Sequence, residues 1–170
     1  MSHKIWIGVD NGTTGSIGCV GDCSTRCIET PIIKEQSYTK AKKIISRIDH
    51  LSLKQWLLDI MGNTYQPSEL VVAIERPMIN PMRFQASVSA ARSLEATLCV
   101  IEDLGIPHFY VDSREWQSKM LPKGVKGAPD LKKASMDIGL RLFPDHEKVI
   151  RKHGDADNLL IAEWARRTNL

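Results

Sequence analysis

The run Leu70-Val71-Val72-Ala73-Ile74 is wholly apolar and ends in a carboxylate, Glu75. No other feature constrains the fold as strongly. A segment with no polar face predicts a strand buried on both sides, as in a parallel sheet covered by helices. An acid at the end of such a strand is costly unless it is paired, hydrogen-bonded or bound to metal.

The remaining segments supply neighbours for that strand. Lys4 to Asp10 is apolar and β-rich, and Asn11-Gly12-Thr13-Thr14-Gly15 is a turn cluster. Ser16 to Val20 reads as a second strand and Arg26 to Ile33 as a third, joined by short turns into an antiparallel meander. Leu53, Trp56, Leu57 and Ile60 recur at helical spacing within Leu51 to Met61. A long helix is expected from about Phe84 to Leu104, stopped by Gly105 and Pro107, and His108 to Val111 gives a fifth strand. Further helices are expected near Leu131 to Leu142 and Asp155 to Arg167. This order predicts an α/β fold with a mixed five-stranded sheet, three antiparallel strands then two parallel, flanked by helices. The 170 residues are read as a single domain, 1–170, too short for a two-lobed enzyme.

No window approaches about 18 consecutive apolar residues, so no membrane span is expected. The start, Met1-Ser-His-Lys-Ile-Trp-Ile, lacks the apolar run and cleavage site of a signal peptide. An intracellular, cytoplasmic protein is the resulting expectation. Of the four cysteines, Cys19, Cys23 and Cys27 are spaced by four and Cys99 falls in a helix-like segment. With no CxxC pair, free thiols are the favoured reading and a zinc site the weaker one.

The net charge of +3 is mild, but its distribution is uneven. Lys40, Lys42, Lys43 and Arg47 cluster without an acid, and between Lys119 and Lys152 nine basic residues face four acidic ones. Such stretches read either as solvated surface or as phosphate-contacting faces.

Two more acids stand at telling positions. Asp10 ends the first strand, and Asp157 opens the last helix within the run His153-Gly-Asp-Ala-Asp-Asn-Leu-Leu-Ile-Ala162. Singly, each has a structural explanation. Asp10 suits a turn, Asp155 or Asp157 a helix N-cap, and Glu75 an ion pair with Arg76. Together they describe clustered carboxylates whose repulsion a hard divalent cation relieves. Two such ions activate a water and stabilise a leaving oxygen in phosphodiester cleavage.

The three segments Ile7-Gly-Val-Asp10-Asn-Gly-Thr-Thr-Gly15, Val72-Ala-Ile-Glu75-Arg-Pro77 and His153 to Ala162 resemble those of RuvC-like Holliday-junction resolvases, especially their phage-encoded relatives. The resemblance spans nearly the whole chain. It implies a ribonuclease-H-like fold, a homodimer, and Mg²⁺- or Mn²⁺-dependent endonucleolytic nicking of paired strands at four-way DNA junctions, with two ions per site. It casts Asp10, Glu75 and Asp157 as metal-binding catalytic acids. One departure stands out. The family often places an acid or histidine three residues before the last aspartate, and here that residue is Gly154. His153, four before Asp157, shares its face on a continuous helix and is favoured as the fourth catalytic group, with Asp155 as the N-cap. A surface or phosphate-contacting histidine is the alternative.

Lys40, Lys42, Lys43, Lys119, Lys123, Lys126, Arg76 and the Arg166-Arg167 pair are candidate DNA contacts. In the proline-bounded segment after Glu75, Met78, Ile79 or Phe84 would wedge against unstacked bases. Alternatively, Met82 and Phe84 staple the start of the next helix. That helix carries Ala86, Ser87, Ser89, Ala90, Ala91, Ser93 and Ala96, small enough for close packing on the sheet or against a twin across a two-fold axis. Asp10-Asn-Gly-Thr-Thr-Gly also resembles the phosphate loop of sugar kinases and actin-like ATPases. Those need two lobes, so no nucleotide cofactor is expected. A DNA-binding protein without activity, and a nuclease of this fold acting on flaps, forks or RNA–DNA hybrids, are the other readings.

Overall fold

The computed structural model describes residues 4–21, 25–40 and 42–169. Its strands are Ile5–Asp10 (β1), Ser16–Gly21 (β2), Thr25–Glu29 (β3), Ile32–Gln36 (β4), Ile44–Ile48 (β5), Leu70–Glu75 (β6) and His108–Val111 (β7). Its helices are His50–Met61 (α1), Phe84–Asp103 (α2), Ser113–Met120 (α3), Ala128–Leu142 (α4), Glu147–His153 (α5) and Asp157–Thr168 (α6). Cys23 and the first three residues lie outside the described residues. Among the described residues Cys19, Cys27 and Cys99 are free, and no helix is long and apolar enough to cross a membrane.

The mixed five-stranded sheet has the order β3-β2-β1-β6-β7. β1 pairs antiparallel with β2 and parallel with β6, β2 pairs antiparallel with β3, and β7 runs parallel to β6. Side chains alternate across each strand. Ile5, Ile7, Val9, Leu70, Val72 and Ile74 share one core with Leu53, Leu57 and Ile60 of α1 and Val100 and Ile101 of α2. Trp6, Val71 and Ala73 face the other core, with Trp116 of α3, Ile150 of α5 and Leu159 to Ala162 of α6. The same alternation sends Asp10 and Glu75 to the α6 side. The parallel register pairs Val9 with Ile74, so the two acids end adjacent strands at one level.

β1 and α6 touch backbone to backbone. A Cβ on Gly8 would lie 2.1 Å from the Asn158 carbonyl oxygen and 2.6 Å from the Ala162 nitrogen. The absent side chain lets α6 lie flush on the central strand, and α6 is buried continuously from Asn158 to Ala165.

Two expectations need correction. The third strand does not run from Arg26 to Ile33. β3 stops at Glu29, the Thr30 N–H donates to the Gly15 carbonyl at 3.0 Å, and Pro31 has no N–H to continue a ladder. Ile32–Gln36 instead pairs with Ile44–Ile48 as a separate hairpin. The structure also adds two helices to those expected, α3 and α5. On α2, Ser87, Ser93 and Thr97 face inward while Ala91 is exposed.

Gly8→Ala is expected to lower stability by about 3 kcal/mol, the cost of overpacking against rigid backbone. A thermal melt would register this as a fall of about 6–12 °C.

Candidate active site

Asp10 and Glu75 meet at the ends of β1 and β6, where their side chains hydrogen-bond. Trp116 Nε1 donates to Glu75 Oε1 at 3.2 Å, and the Ser113 side chain bonds the same carboxylate. The third contribution comes from the elbow between α5 and α6. α5 ends at His153, and Gly154 turns the chain at φ +92°, a left-handed conformation that glycine adopts without a Cβ clash.

The elbow folds His153 Nε2 to 3.5 Å from Asp155 Oδ1. Asp155, only 3% exposed, also accepts from Lys132 Nζ of α4 at 3.1 Å. Asp157 accepts from the Ser135 hydroxyl, whose oxygen takes the Ala156 N–H at 3.1 Å.

The helix geometry expected for His153 is therefore corrected: His153 and Asp157 stand on different helices, because Gly154 ends the first. Asp155 is not the N-cap. Ala156 holds that position and makes no side-chain cap. Both His153 and Asp155 enter the cluster, His153 by the elbow rather than by periodicity. Lys132, Ser135, Ser113 and Trp116 were not singled out from the sequence as site residues. Nothing local marks them, since long-range packing brings each to the acids.

Crowded negative charge sets the electrostatics. Burial raises the Asp10 carboxyl well above its ordinary range, and the charges of Glu75, Asp157 and Asp155 push it further. Burial also raises Glu75, opposed by its bonds to Ser113, Trp116 and Asp10. Asp157 is pushed up to about 7 by burial and by Asp155, against the Ser135 hydrogen bond. The Asp155 carboxylate holds the Lys132 ammonium above its usual value.

A divalent cation suits this donor set. One ligand atom each from Asp10, His153 and Asp155 lie within 4.8 Å of one another. Two ligands on one ion, each at about 2.1 Å, sit at most about 4.2 Å apart, so a small closure completes the site. The Ser16 hydroxyl oxygen, opposite Asp10 in the β1–β2 register, is buried without a partner, as expected beside a polar guest. Glu75 stands beside Asp10 at the end of the neighbouring strand, and Asp157 adds charge from the elbow.

Asp10 and Glu75 open into a groove of about 340 Å³ lined also by Asn11, Arg76, Met78 and Arg83. Arg76 Nε pairs with Asp112 Oδ1 at 3.1 Å and its guanidinium lies 5.1 Å from the Tyr110 ring centroid. Met78 and Met82 are 82% and 92% exposed and Phe84 67%, so neither Met82 nor Phe84 staples α2. Lys119, Lys123 and Lys126 are exposed on the end of α3 and the loop after it, and Lys40, Lys42 and Lys43 on the turn of the β4–β5 hairpin.

No family model and no curated protein matches this chain. Among solved structures, it resembles Thermus thermophilus RuvC in complex with a Holliday junction substrate. The two align over 98% of this chain and 96% of that one, with a TM-score of 0.55 and 14% identity. A second Thermus thermophilus RuvC structure aligns over 97% and 96%, with a TM-score of 0.47 and 14% identity. The fold is thus that of RuvC, a mixed sheet flanked by helices, with a carboxylate-rich cluster fit to hold metal at the ends of β1 and β6.

The raised carboxyls carry a linkage consequence. Asp157 binds its proton more tightly folded than unfolded, so its contribution to stability falls as pH rises from about 4 to about 7. In chelator at pH 8, Asp157→Asn is expected to melt higher than wild type, by an amount equivalent to about 1 kcal/mol. The gap should close at pH 4, where the wild-type carboxyl is itself neutral.

Proposed function

We propose that this chain is a metal-dependent, structure-selective DNA endonuclease that resolves four-way junctions by paired nicking. The observation carrying this reading is the convergence of Asp10, Glu75, Asp155, Asp157 and His153 on one end of a RuvC fold. A DNA-binding protein without activity has no use for buried acids, which repel phosphate.

Asp10, His153 and Asp155 would hold one divalent ion, with Glu75 and Asp157 completing a second position. Mg²⁺ or Mn²⁺ held there would neutralise the acids and would supply an activated water and charge stabilisation for the leaving oxygen. Ser135 and Lys132 fix Asp157 and Asp155 before substrate arrives. Arg76, held by Asp112 and Tyr110, offers its remaining donors to a phosphate in the groove beside Glu75. The exposed Met78 and Phe84 supply apolar surface for unstacked bases, and Lys40, Lys42, Lys43, Lys119, Lys123 and Lys126 contact the duplex arms. Two copies, meeting through α2, would place two sites symmetrically about the two-fold axis of a junction. A nuclease with DNA as its substrate would act in the cytoplasm, including that of a phage-infected host.

Asp10→Asn, Glu75→Gln and Asp157→Asn are each expected to abolish nicking while junction binding is kept or strengthened. A gel assay with a four-way junction, a flap, a fork and an RNA–DNA hybrid, with and without Mg²⁺, tests both activity and preference. Faster cleavage of the flap, fork or hybrid than of the junction would overturn the junction assignment. His153→Ala and Asp155→Ala are both expected to lose most activity, and wild-type rates in either would remove that residue from the site.

Ala91 is exposed on α2, so Ala91→Glu is expected to yield monomers that nick junction strands singly. Sedimentation at micromolar concentration reads the first effect, and a supercoiled cruciform plasmid, linearised or only nicked, reads the second.

A further inference from the structure

Among the described residues, Trp116 is the largest side chain that is wholly buried, at 0% exposure. A phenylalanine or leucine would fill such a space without a polar atom to satisfy. The indole N–H instead needs an acceptor, because burying it unpaired costs free energy. That acceptor is Glu75 Oε1, 3.2 Å away.

The helix carrying the indole is fixed to the strand carrying the acid. The Arg76 N–H donates to the Val111 carbonyl at 2.9 Å, and Arg76 Nε pairs with Asp112 Oδ1 at 3.1 Å. Asp112 caps α3 in a reciprocal box, its own N–H donating to Glu115 Oε2 at 2.8 Å. Ser113, the first residue of α3, bonds Glu75 as well. The start of α3 thus grips the end of β6 through backbone, ion pair and two side-chain donors. A free glutamate side chain samples several rotamers, and ordering it costs conformational entropy when a cation arrives. Two donors on a fixed helix remove that freedom beforehand.

We propose that Trp116 is a positioning residue for Glu75, assisted by Ser113, and sets the carboxylate in the orientation that receives the divalent cation. This role rests on the metal-site reading given above. Partners of metal ligands characteristically contribute 10–100-fold in affinity or activity, on the order expected here.

The test is titration of Mn²⁺ into the whole chain without DNA, following free Mn²⁺ by electron paramagnetic resonance. Wild type is compared with Trp116→Phe, which keeps most of the volume and loses the N–H. Met120→Ala serves as the reference, since it loosens the same apolar cluster without bonding Glu75. Below all melting transitions, Trp116→Phe is expected to weaken Mn²⁺ binding about 10–100-fold, with Met120→Ala binding as wild type. Ser113→Ala is expected to weaken it about 3- to 10-fold, and it carries the test should Trp116→Phe fail to fold. Unchanged binding in Trp116→Phe, or in Ser113→Ala where that carries the test, would overturn the role. So would equal weakening in Met120→Ala. A wild-type chain that binds no Mn²⁺ would instead defeat the metal site itself, and the positioning role with it.

Discussion

The contact between Gly8 and the backbone of α6 is the constraint on which the rest of the structure depends. Helices ordinarily pack on sheets through interdigitated side chains, at a distance those side chains set. Here the helix rests on the central strand with nothing between, because a Cβ would fall 2.1 Å from a carbonyl oxygen. That closeness brings the start of α6 to the end of β1, and with it the elbow bearing His153, Asp155 and Asp157. A wider gap would leave two acids on the sheet and a separate acid pair beyond coordinating reach.

Such crowding is a strain the fold sustains rather than avoids. Neighbouring negative charges and burial raise the carboxyls, and a lysine, two serines and an indole restrain them. Lys132 is mostly exposed while its partner Asp155 is buried, so its ammonium caps the cluster from the solvent side. This arrangement is expected of a site prepared for a cation and not of one selected for stability alone.

Much of this was legible in the sequence, for identifiable reasons. β1 and β6 each write their burial as an unbroken one-dimensional pattern, and an acid closing that pattern is conspicuous. α6 was equally plain because Leu159 to Ala162 forms an unbroken apolar run with Trp164 and Ala165 close behind. The β4–β5 hairpin was hidden, since the apolar pair Ile32-Ile33 reads as an extension of β3 unless Pro31 is taken as a break. α3 was missed because only Trp116 and Met120 are buried in an otherwise polar stretch. The elbow was legible as residues but not as geometry. Periodicity across residues 153–157 presumes one helix, and Gly154 makes two. The donors that hold the acids in place, Ser135 and Trp116, carry no local signature. They stand 22 and 41 residues from the carboxylates they bond.

The distribution of the acids along the chain has a temporal consequence. Asp10 belongs to the first strand, Glu75 to the middle of the chain, and Asp155 and Asp157 to the elbow before the last helix. During synthesis the ribosome releases these elements in that order, and β1 cannot bury its α6-facing side until α6 emerges. Nascent chains therefore hold scattered acids and no assembled centre. The carboxylate cluster is therefore gathered as the last event of folding, with the closing contact at Gly8.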